Sequence, residues 1–166
     1  MPEKTADLKV AIYTDGSSRG NPGPGGYGIV LLSDRGHKKE VSEGFRKTTN
    51  NRMELLSVIT ALEMLKTGAD DVIIFSDSKY VVDAVNKGWV YNWAKKGFKG
   101  KKNPDLWKRF LAAPKPANLR FEWVKGHDGN KYNERCDRLA VAAALKKNLP
   151  PDEGYERLSG EAEGMF

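Results

Sequence analysis

The chain has 166 residues, of which 28 are lysine or arginine and 22 are acidic, so its formal net charge at pH 7 is +6. This length suits one domain with a core that needs no disulfide, and the single cysteine, Cys136, excludes a disulfide-stapled secreted fold. The first residues contain no apolar run typical of a signal peptide, and no stretch reaches the roughly 18 apolar residues that span a bilayer, so we expect a monomeric cytoplasmic protein without a membrane partner.

Hydrophobic periodicity divides the first half of the chain into strands and a helix. The first 45 residues predict three strands of an antiparallel meander, at 8–14, 27–32 and about 37–45. Residues 16–26, with five glycines and two prolines, predict a loop between the first two strands, and residues 34–36 predict a turn. Apolar residues at helical spacing then predict a helix over about 51–66 that ends at Gly68.

In the second half of the chain, predicted strands alternate with helices. The continuous apolar run 72–75 predicts a strand buried on both faces, followed by a short helix at 78–87. A helix from Pro104 to about residue 111, a strand at 119–124 and a helix at 133–147 complete the series. The last helix has a buried side made by Leu139, Ala140, Ala143 and Ala144. This order implies parallel crossovers added to the meander, so the expected fold is an α/β protein with a mixed five-stranded sheet and helices on both faces.

The basic residues concentrate in the segment 87–109. It holds eight basic residues and one acidic residue, a net charge of +7, which leaves −1 for the rest of the chain. Six aromatic residues lie among these charges: Trp89, Tyr91, Trp93, Phe98, Trp107 and Phe110. A solvated lysine-rich loop is the alternative interpretation, but such loops rarely carry so many aromatic residues. A positive field concentrated in one place favours a polyanionic partner, and we therefore predict contact with nucleic acid.

Acidic residues and a histidine follow the ends of three predicted strands. Asp15 directly follows the first strand, Asp77 follows the strand at 72–75, and His127 lies just past the last strand. Ligands of open α/β sheets bind outside the carboxyl ends of the strands, so these three groups are expected at one edge. Glu54 and Asp137 lie in the first turns of predicted helices, from which both could point to that edge.

Each of these residues also has an ordinary structural explanation. A turn would explain Asp15, the N-cap of the following helix would explain Asp77, and a capping box would explain Glu54. Asp137 could be a solvated helix residue, and His127 an exposed loop histidine. Taken singly, most of these explanations are the simpler ones, but together they do not account for the joint arrangement.

Carboxylates that converge would repel one another. Two unit charges about 4 Å apart cost on the order of 4 kcal/mol at an effective dielectric constant of about 20. A fold tolerates this only where protons or cations offset the charge, and an all-oxygen set without cysteine is typical of a site for Mg²⁺ or Mn²⁺. Two such ions about 3.5–4 Å apart would clamp the attacking and leaving oxygens of a phosphodiester. We therefore predict a divalent-metal-dependent nuclease.

Five motifs in unbroken order resemble those of ribonuclease H of type 1 in its bacterial form. They are YTDGS at 13–17, GNPGPGGYG at 20–28, TTNNRMEL at 48–55, SDSKYV at 76–81, and WVKGH at 123–127 continuing to NERCD at 133–137. Any one of them alone would be weak, but the resemblance covers roughly residues 8–147 and is therefore specific. It implies hydrolysis of the RNA strand of an RNA–DNA hybrid, leaving 3′-hydroxyl and 5′-phosphate ends.

The resemblance also implies roles for individual residues. It implies two Mg²⁺ ions, replaceable by Mn²⁺, with the catalytic ligands Asp15, Glu54, Asp77 and Asp137. It implies His127 as a mobile group that helps proton transfer or product release. The contacts it implies with an RNA–DNA hybrid include residues of a basic protrusion at about 87–103, and they are Asn21, Thr49, Asn50, Asn51, Lys79, Trp89, Trp93, Lys95, Lys96, Lys99, Lys101, Lys102 and Asn133. Contacts of this kind can sense the 2′-hydroxyl that distinguishes RNA from DNA.

We expect residues 1–147 to form the catalytic domain. Residues 148–166 contain two prolines and several acids and predict an acidic, weakly ordered tail. Two alternative functions stay open at this point. One is a nuclease of the same fold that resembles an integrase or resolvase, and the other is a hybrid-binding module without catalysis.

Replacing His127 by alanine is expected to lower kcat by roughly 10- to 1,000-fold, the range for lost general acid–base help. KM should stay nearly unchanged, because a loop histidine at the strand edge need not bind ground-state substrate. Steady-state kinetics on a short hybrid measures both constants. Complete inactivity, or a large rise in KM with a normal kcat, would contradict this role.

Overall fold

Five strands form one sheet at the centre of the molecule, in a computed structural model that describes residues 8–65, 69–126 and 128–164. The strands are β1 Leu8–Ser18, β2 Gly23–Ser33, β3 Lys38–Thr48, β4 Ala69–Ser76 and β5 Asn118–Trp123. Their order in the sheet is β3-β2-β1-β4-β5. The first three pair antiparallel, and β4 pairs parallel with both β1 and β5. The predicted mixed five-stranded sheet is therefore confirmed.

Six helices surround the sheet in the described part of the chain. They are α1 Asn50–Met64, α2 Lys79–Asn86, α3 Trp89–Lys95, α4 Pro104–Ala112, α5 Lys131–Ala144 and α6 Glu153–Gly164. The sequence predicted α1, α2, α4 and α5, but not α3, which lies in the basic segment, or α6, which lies in the predicted tail. The predicted end of α1, Gly68, lies outside the described residues. No helix within the described ranges has the length and apolar character needed to cross a membrane.

The glycine-rich segment 16–26 is mostly strand, which corrects the predicted loop. β1 continues to Ser18 and β2 already begins at Gly23, so the connection between them is only four residues long. Gly20 lies in this connection with φ +87°, a conformation that favours glycine. Most of the other glycines therefore need an explanation other than turn formation.

The glycines of β2 allow helices to approach both faces of the sheet. A Cβ atom on Gly28 would overlap the carbonyl of Cys136 in α5, and one on Gly26 would lie 2.6 Å from another α5 carbonyl. The side chain of their neighbour Gly25 would point to the opposite face, where its Cβ would lie 3.2 Å from Cγ of Met53 in α1. Helices α1 and α5 therefore pack directly on opposite faces, as predicted.

The run 72–75 of β4 is fully buried on one face only. Val72 and Ile74 have no exposed surface, whereas Ile73 and Phe75 are half-buried. The second face is only partly covered because α5 packs against β1, β2 and β3. The prediction of a strand buried on both faces is wrong for this reason.

The aromatic residues of the basic segment divide into a core group and a surface group. Phe98, Trp107 and Phe110 belong to the hydrophobic core, with 6%, 0% and 0% of their surface exposed. Trp89 and Tyr91 are exposed, and Trp93 is half-buried. The three core residues therefore anchor the segment to the domain, whereas Trp89 and Trp93, the two aromatic residues predicted to contact the hybrid, are at least partly accessible.

The C-terminal residues pack onto the domain instead of forming a weakly ordered tail. Helix α6 follows residue 152, and the carbonyl of Pro150 accepts a hydrogen bond of 2.9 Å from the backbone N–H of Arg46 on the edge strand β3. Glu156 forms an ion pair with the Arg46 side chain, with 2.9 Å between Nη2 and Oε1. Two of the acids that suggested disorder, Asp152 and Glu156, are thus paired with arginines far away in the sequence.

Candidate active site

Three of the predicted carboxylates converge where β1 and β4 run towards their carboxyl ends. Asp15, Glu54 and Asp77 each offer an oxygen, and these oxygens lie within 4.8 Å of one another. Asp15 and Glu54 are buried and Asp77 is half-buried. The parallel pairing of β1 with β4 aligns Thr14 with Ser76, so the acids that follow these two residues are neighbours.

The fourth predicted carboxylate, Asp137, lies on α5 and lines the same cleft, which has a volume of about 390 Å³. It is not part of the group within 4.8 Å. His127 lies outside the described residues. The other cleft-lining residues include several that the sequence analysis did not single out, and the full lining besides the four acids is Gly16, Ser17, Asn50, Asn51, Ser78, Lys79 and Tyr80.

Helix capping excludes two of the ordinary explanations for these acids. The N-cap of α2 is Ser78, whose side chain accepts a hydrogen bond of 3.3 Å from the Val81 N–H, so Asp77 does not cap this helix. The N-cap of α1 is Thr49, whose hydroxyl accepts from the Arg52 N–H at 3.2 Å. Glu54 is therefore not the capping-box acid of α1, and both carboxylates remain available for other ligands.

The carboxylate of Glu54 is only half satisfied. Oε1 accepts a hydrogen bond of 3.1 Å from the Gly16 N–H, whereas the buried Oε2 has no hydrogen-bond partner within the described ranges. Burial, followed by the negative charges of Asp15 and Asp77, raises the pKa of Glu54 well above its usual range. A buried carboxylate oxygen without a donor is rare, and such an oxygen is suited to bind a cation or a proton.

Burial is also the main cause that raises the pKa of Asp15 to about 8, although a hydrogen bond with Glu54 acts in the opposite direction. The negative charges of Asp77 and Asp137 raise it further. At neutral pH the site therefore holds a proton unless a cation stabilises the ionised form. A crowded all-oxygen donor set with one unsatisfied oxygen fits a hard divalent cation.

Trp123 at the end of β5 and Gly126 three residues later close the site around Asp77. Nε1 of Trp123 donates a hydrogen bond of 3.0 Å to the backbone carbonyl of Asp77. A Cβ atom on Gly126 would lie 2.7 Å from Oδ2 of Asp77, so only glycine leaves the carboxylate its space. The sequence analysis assigned neither residue a role, although both belong to the WVKGH motif.

The predicted hybrid contacts around α1 are mostly exposed. Asn21, Asn50 and Asn51 are exposed, and Oδ1 of Asn21 accepts a hydrogen bond of 3.0 Å from the Asn50 N–H. Thr49 is half-buried as the helix cap. Asn133 is 3% exposed and does not line the cleft, so the structure does not bring it together with the other predicted contacts.

The five lysines predicted to contact the hybrid are all exposed: Lys95, Lys96, Lys99, Lys101 and Lys102. None of them takes part in an ion pair with another described residue. Nζ of Lys101, one of the five, lies 5.2 Å from the centre of the Trp93 ring. The segment therefore presents uncompensated positive charge beside aromatic rings.

Comparison with known proteins gives the same family at the level of sequence and of structure. The family model described as RNase H matches residues 7–145. A protein named ribonuclease H from Desulforamulus reducens is 54% identical over 149 residues, which cover 87% of this chain and 92% of the relative. The crystal structure of LC9-RNase H1, described as a type 1 RNase H with the type 2 active-site motif, matches with a TM-score of 0.75 and 35% identity over 84% of this chain and 73% of the other. LC11-RNase H1, solved in complex with an RNA/DNA hybrid, has a TM-score of 0.61 and 29% identity, covering 81% of this chain and 96% of its own.

Proposed function

This chain belongs to the ribonuclease H family, and from this premise we propose how it acts as an endoribonuclease that hydrolyses the RNA strand of RNA–DNA hybrids. The observation that carries the proposal is the group of three carboxylates within 4.8 Å of one another, in a chain that also has a segment with a net charge of +7. The expected products have 5′-phosphate and 3′-hydroxyl ends. LC11-RNase H1, which shares the fold, was crystallised with a hybrid, and this supports the same substrate class here.

We propose that Asp15, Glu54, Asp77 and Asp137 hold two divalent cations during catalysis, Mg²⁺ with Mn²⁺ as a substitute. Bound cations would activate the attacking water and stabilise the charge on the reacting phosphate. The unpartnered Oε2 of Glu54 and the all-oxygen donor set support this assignment. Because metal ligands must be deprotonated and the pKa of Asp15 is raised to about 8, metal binding should release protons near neutral pH.

In this proposal, backbone and side-chain groups of the chain hold the carboxylates in place and bind the hybrid. The Gly16 N–H orients the Glu54 carboxylate, and the indole of Trp123 holds the backbone at Asp77. Lys79 is exposed at the cleft and lies 4.8 Å from the centre of the Trp123 ring, where its charge can neutralise a phosphate. The exposed asparagines at the start of α1 can bond to the sugar and base edges of the hybrid.

We further propose a division of labour within the chain. The catalytic domain comprises about residues 1–147. Its basic protrusion at about 87–103 binds the strand of the hybrid that is not cut. The residues after 147 support this domain through the contacts of α6. A monomer in the cytoplasm is the expected state, consistent with the one free thiol, which is buried.

One experiment tests the activity and separates it from the alternatives. A hybrid with differently labelled RNA and DNA strands is incubated with the protein, with and without Mg²⁺, and the strands are resolved on a gel. Metal-dependent loss of the RNA strand alone is expected. Binding without cleavage would indicate a hybrid-binding module, and cutting or joining of DNA would indicate an integrase- or resolvase-like nuclease.

Replacing Lys95, Lys96, Lys99, Lys101 and Lys102 together by alanine is expected to raise KM at moderate salt. Each lost phosphate contact should reduce the salt slope of log K by about 0.9 on B-DNA, and by a comparable amount on a hybrid. Saturated kcat should stay within a few-fold, because the lost interactions bind substrate and transition state alike. Steady-state kinetics across a salt series is the measurement, and a wild-type salt slope in the variant would show that the segment is a solvated loop.

A further inference from the structure

A buried cluster of charges outside the cleft joins three parts of the chain that are distant in sequence. Arg52 of α1 is 1% exposed and its guanidinium donates to two carboxylates. Nη1 and Nη2 bond to Asp105 of α4 at 2.9 and 2.7 Å, and Nε and Nη2 bond to Asp152 at 2.7 and 2.9 Å. Asp152 itself is 6% exposed and directly precedes α6. We call this group the Arg52 cluster.

On one side, the Arg52 cluster holds the start of α1. Oδ2 of Asp152 also accepts a hydrogen bond of 2.7 Å from the hydroxyl of Thr48, the residue before the N-cap. Asp152 therefore accepts hydrogen bonds from residues on both sides of the N-cap of α1, at positions 48 and 52. Between these positions lie Asn50 and Asn51, which line the cleft, and Glu54 follows two residues later. The α1 residues on the cleft thus depend on an anchor that lies outside it.

On the other side, the Arg52 cluster reaches the base of the basic segment. Nη1 of Arg52 donates to Oδ1 of Asn103 at 3.4 Å, and Nδ2 of Asn103 donates to the hydroxyl of Tyr80 at 3.1 Å. The same hydroxyl accepts from Nε1 of Trp107 at 2.8 Å. Asn103 has φ 62°, so its backbone adopts the left-handed conformation at the end of the segment. Tyr80 lines the cleft, so these hydrogen bonds connect the Arg52 cluster with the cleft through Asn103.

Close packing against Gly154 leaves the Arg52 cluster little room to move towards the start of α6. A Cβ atom on Gly154 would overlap Oδ2 of Asp105 and lie 2.9 Å from Nη2 of Arg52. The guanidinium is enclosed by its partners. One set of hydrogen bonds, the α1 arm, connects it through Asp152 to the start of α1, and a second set, the Asn103 arm, connects it to Asn103. A cluster of this kind transmits a displacement of one arm to the other, because packed interiors resist continuous deformation.

We propose that Asp152 is a positioning residue for hybrid cleavage: through Arg52 it sets the first turn of α1 at a defined distance from the base of the basic segment. This inference rests on the proposed function. The two surfaces that Asp152 aligns are the asparagines at the cleft and the lysines of residues 95–102, and a hybrid must contact both at once. A purely stabilising ion pair would instead change the melting temperature and leave substrate binding of the folded protein as it was.

The test compares two acid-to-amide variants on the same C-terminal segment. Asp152→Asn weakens the Arg52 cluster, and the control Glu156→Gln removes the more exposed ion pair with Arg46. Thermal melts first define a temperature at which all the proteins are folded. At that temperature, fluorescence anisotropy with a labelled RNA–DNA hybrid in EDTA measures binding without metal, and kinetics with Mg²⁺ measures KM and kcat.

Asp152→Asn is expected to weaken hybrid binding about 5- to 30-fold and to raise KM by a similar factor, within the range for misplaced binding groups. Glu156→Gln should remain within about two-fold of wild type, as expected for a solvent-exposed ion pair. If folded Asp152→Asn binds the hybrid as Glu156→Gln does, the positioning role is overturned. If wild type itself fails to cut the RNA strand, the proposed function fails together with this inference.

A milder variant keeps the test decisive should Asp152→Asn not fold. Thr48→Val removes only the hydroxyl that donates to Asp152 and retains both ion pairs of Arg52. Binding of the hybrid in EDTA should then weaken about two- to five-fold, as expected for one lost hydrogen bond on the α1 arm. Unchanged binding in folded Thr48→Val would overturn the proposal.

Discussion

Asp15→Asn is expected to abolish cleavage of the hybrid, with a loss of at least about 1,000-fold in kcat, because a metal ligand supplies several kcal/mol of transition-state stabilisation. The carboxylate lies within 4.8 Å of those of Glu54 and Asp77, and an amide cannot replace its charge. A gel assay with a labelled hybrid measures the loss. Wild-type activity in this variant would remove Asp15 from the catalytic set.

The same substitution is expected to stabilise the metal-free protein by about 1 kcal/mol at pH 7, since a neutral amide can be buried beside the other carboxylates without taking up a proton on folding, whereas the Asp15 carboxyl must take one up. The pKa of Asp15 is raised to about 8 from an ordinary value of 3.8. Between these values the folded protein retains a proton that the unfolded chain releases, so the stability of wild type should fall as pH rises from about 4 to about 8. Asp15→Asn should lose this component and should gain most at the upper end of the range.

Thermal melts in EDTA at pH 5, 7 and 9 test this pH dependence. Asp70→Asn is the matched control, because Asp70 is an exposed acid on β4 and lies outside the cleft. It should melt close to wild type at each pH. An Asp15→Asn protein that is less stable than wild type in EDTA would contradict the like-charge cluster.

Gly28→Ala is expected to destabilise the protein by about 3 kcal/mol, the cost of overpacking a tight contact. The new methyl group would overlap the Cys136 carbonyl in α5, so the helix would have to move away from the sheet. Asp137 is the next residue of α5, and its displacement should lower kcat by roughly 10- to 100-fold. Both effects come from a single added carbon outside the cleft.

Denaturant unfolding and kinetics below the melting temperature measure the two consequences of Gly28→Ala. Gly160→Ala is the control, because its Cβ would meet nothing within 4 Å and its φ is not positive. It should change stability by less than about 1 kcal/mol, in the stabilising direction expected for alanine in a helix. If Gly28→Ala unfolds at the same denaturant concentration as this control, the glycines of β2 do not serve helix packing.

Local sequence patterns were sufficient to predict an element or a site residue wherever its role depends on neighbours in sequence. The helical spacing of apolar residues located α1. The start of α4 was located by Pro104, the first residue of that helix. The succession of strands and helices determined the mixed sheet, because few topologies satisfy the connection rules. The predicted strand ends also marked Asp15 and Asp77: β1 in fact continues to Ser18, but its parallel pairing with β4 aligns Thr14 with Ser76 and so brings the two acids to one edge.

Local patterns failed where one composition has two structural uses. Glycine permits a turn and it also permits close approach of a helix, and only the position of α5 shows that Gly26 and Gly28 serve the second use. An aromatic residue among lysines can face solvent or the core, and the tertiary structure buried Trp107 while it left Trp89 exposed. Neither distinction is encoded in the residues on either side.

The sequence by itself determined the order of the five strands and of four of the six described helices, the family, and the four carboxylates that were predicted to act together. Only the tertiary structure decided that three of them meet within 4.8 Å and that one oxygen of Glu54 is buried without a donor. It also decided that Asp152 packs onto the domain, because its partner Arg52 lies 100 residues earlier in the sequence. Charge and burial depend on neighbours in space, and those neighbours become known only when the sheet has brought distant segments together.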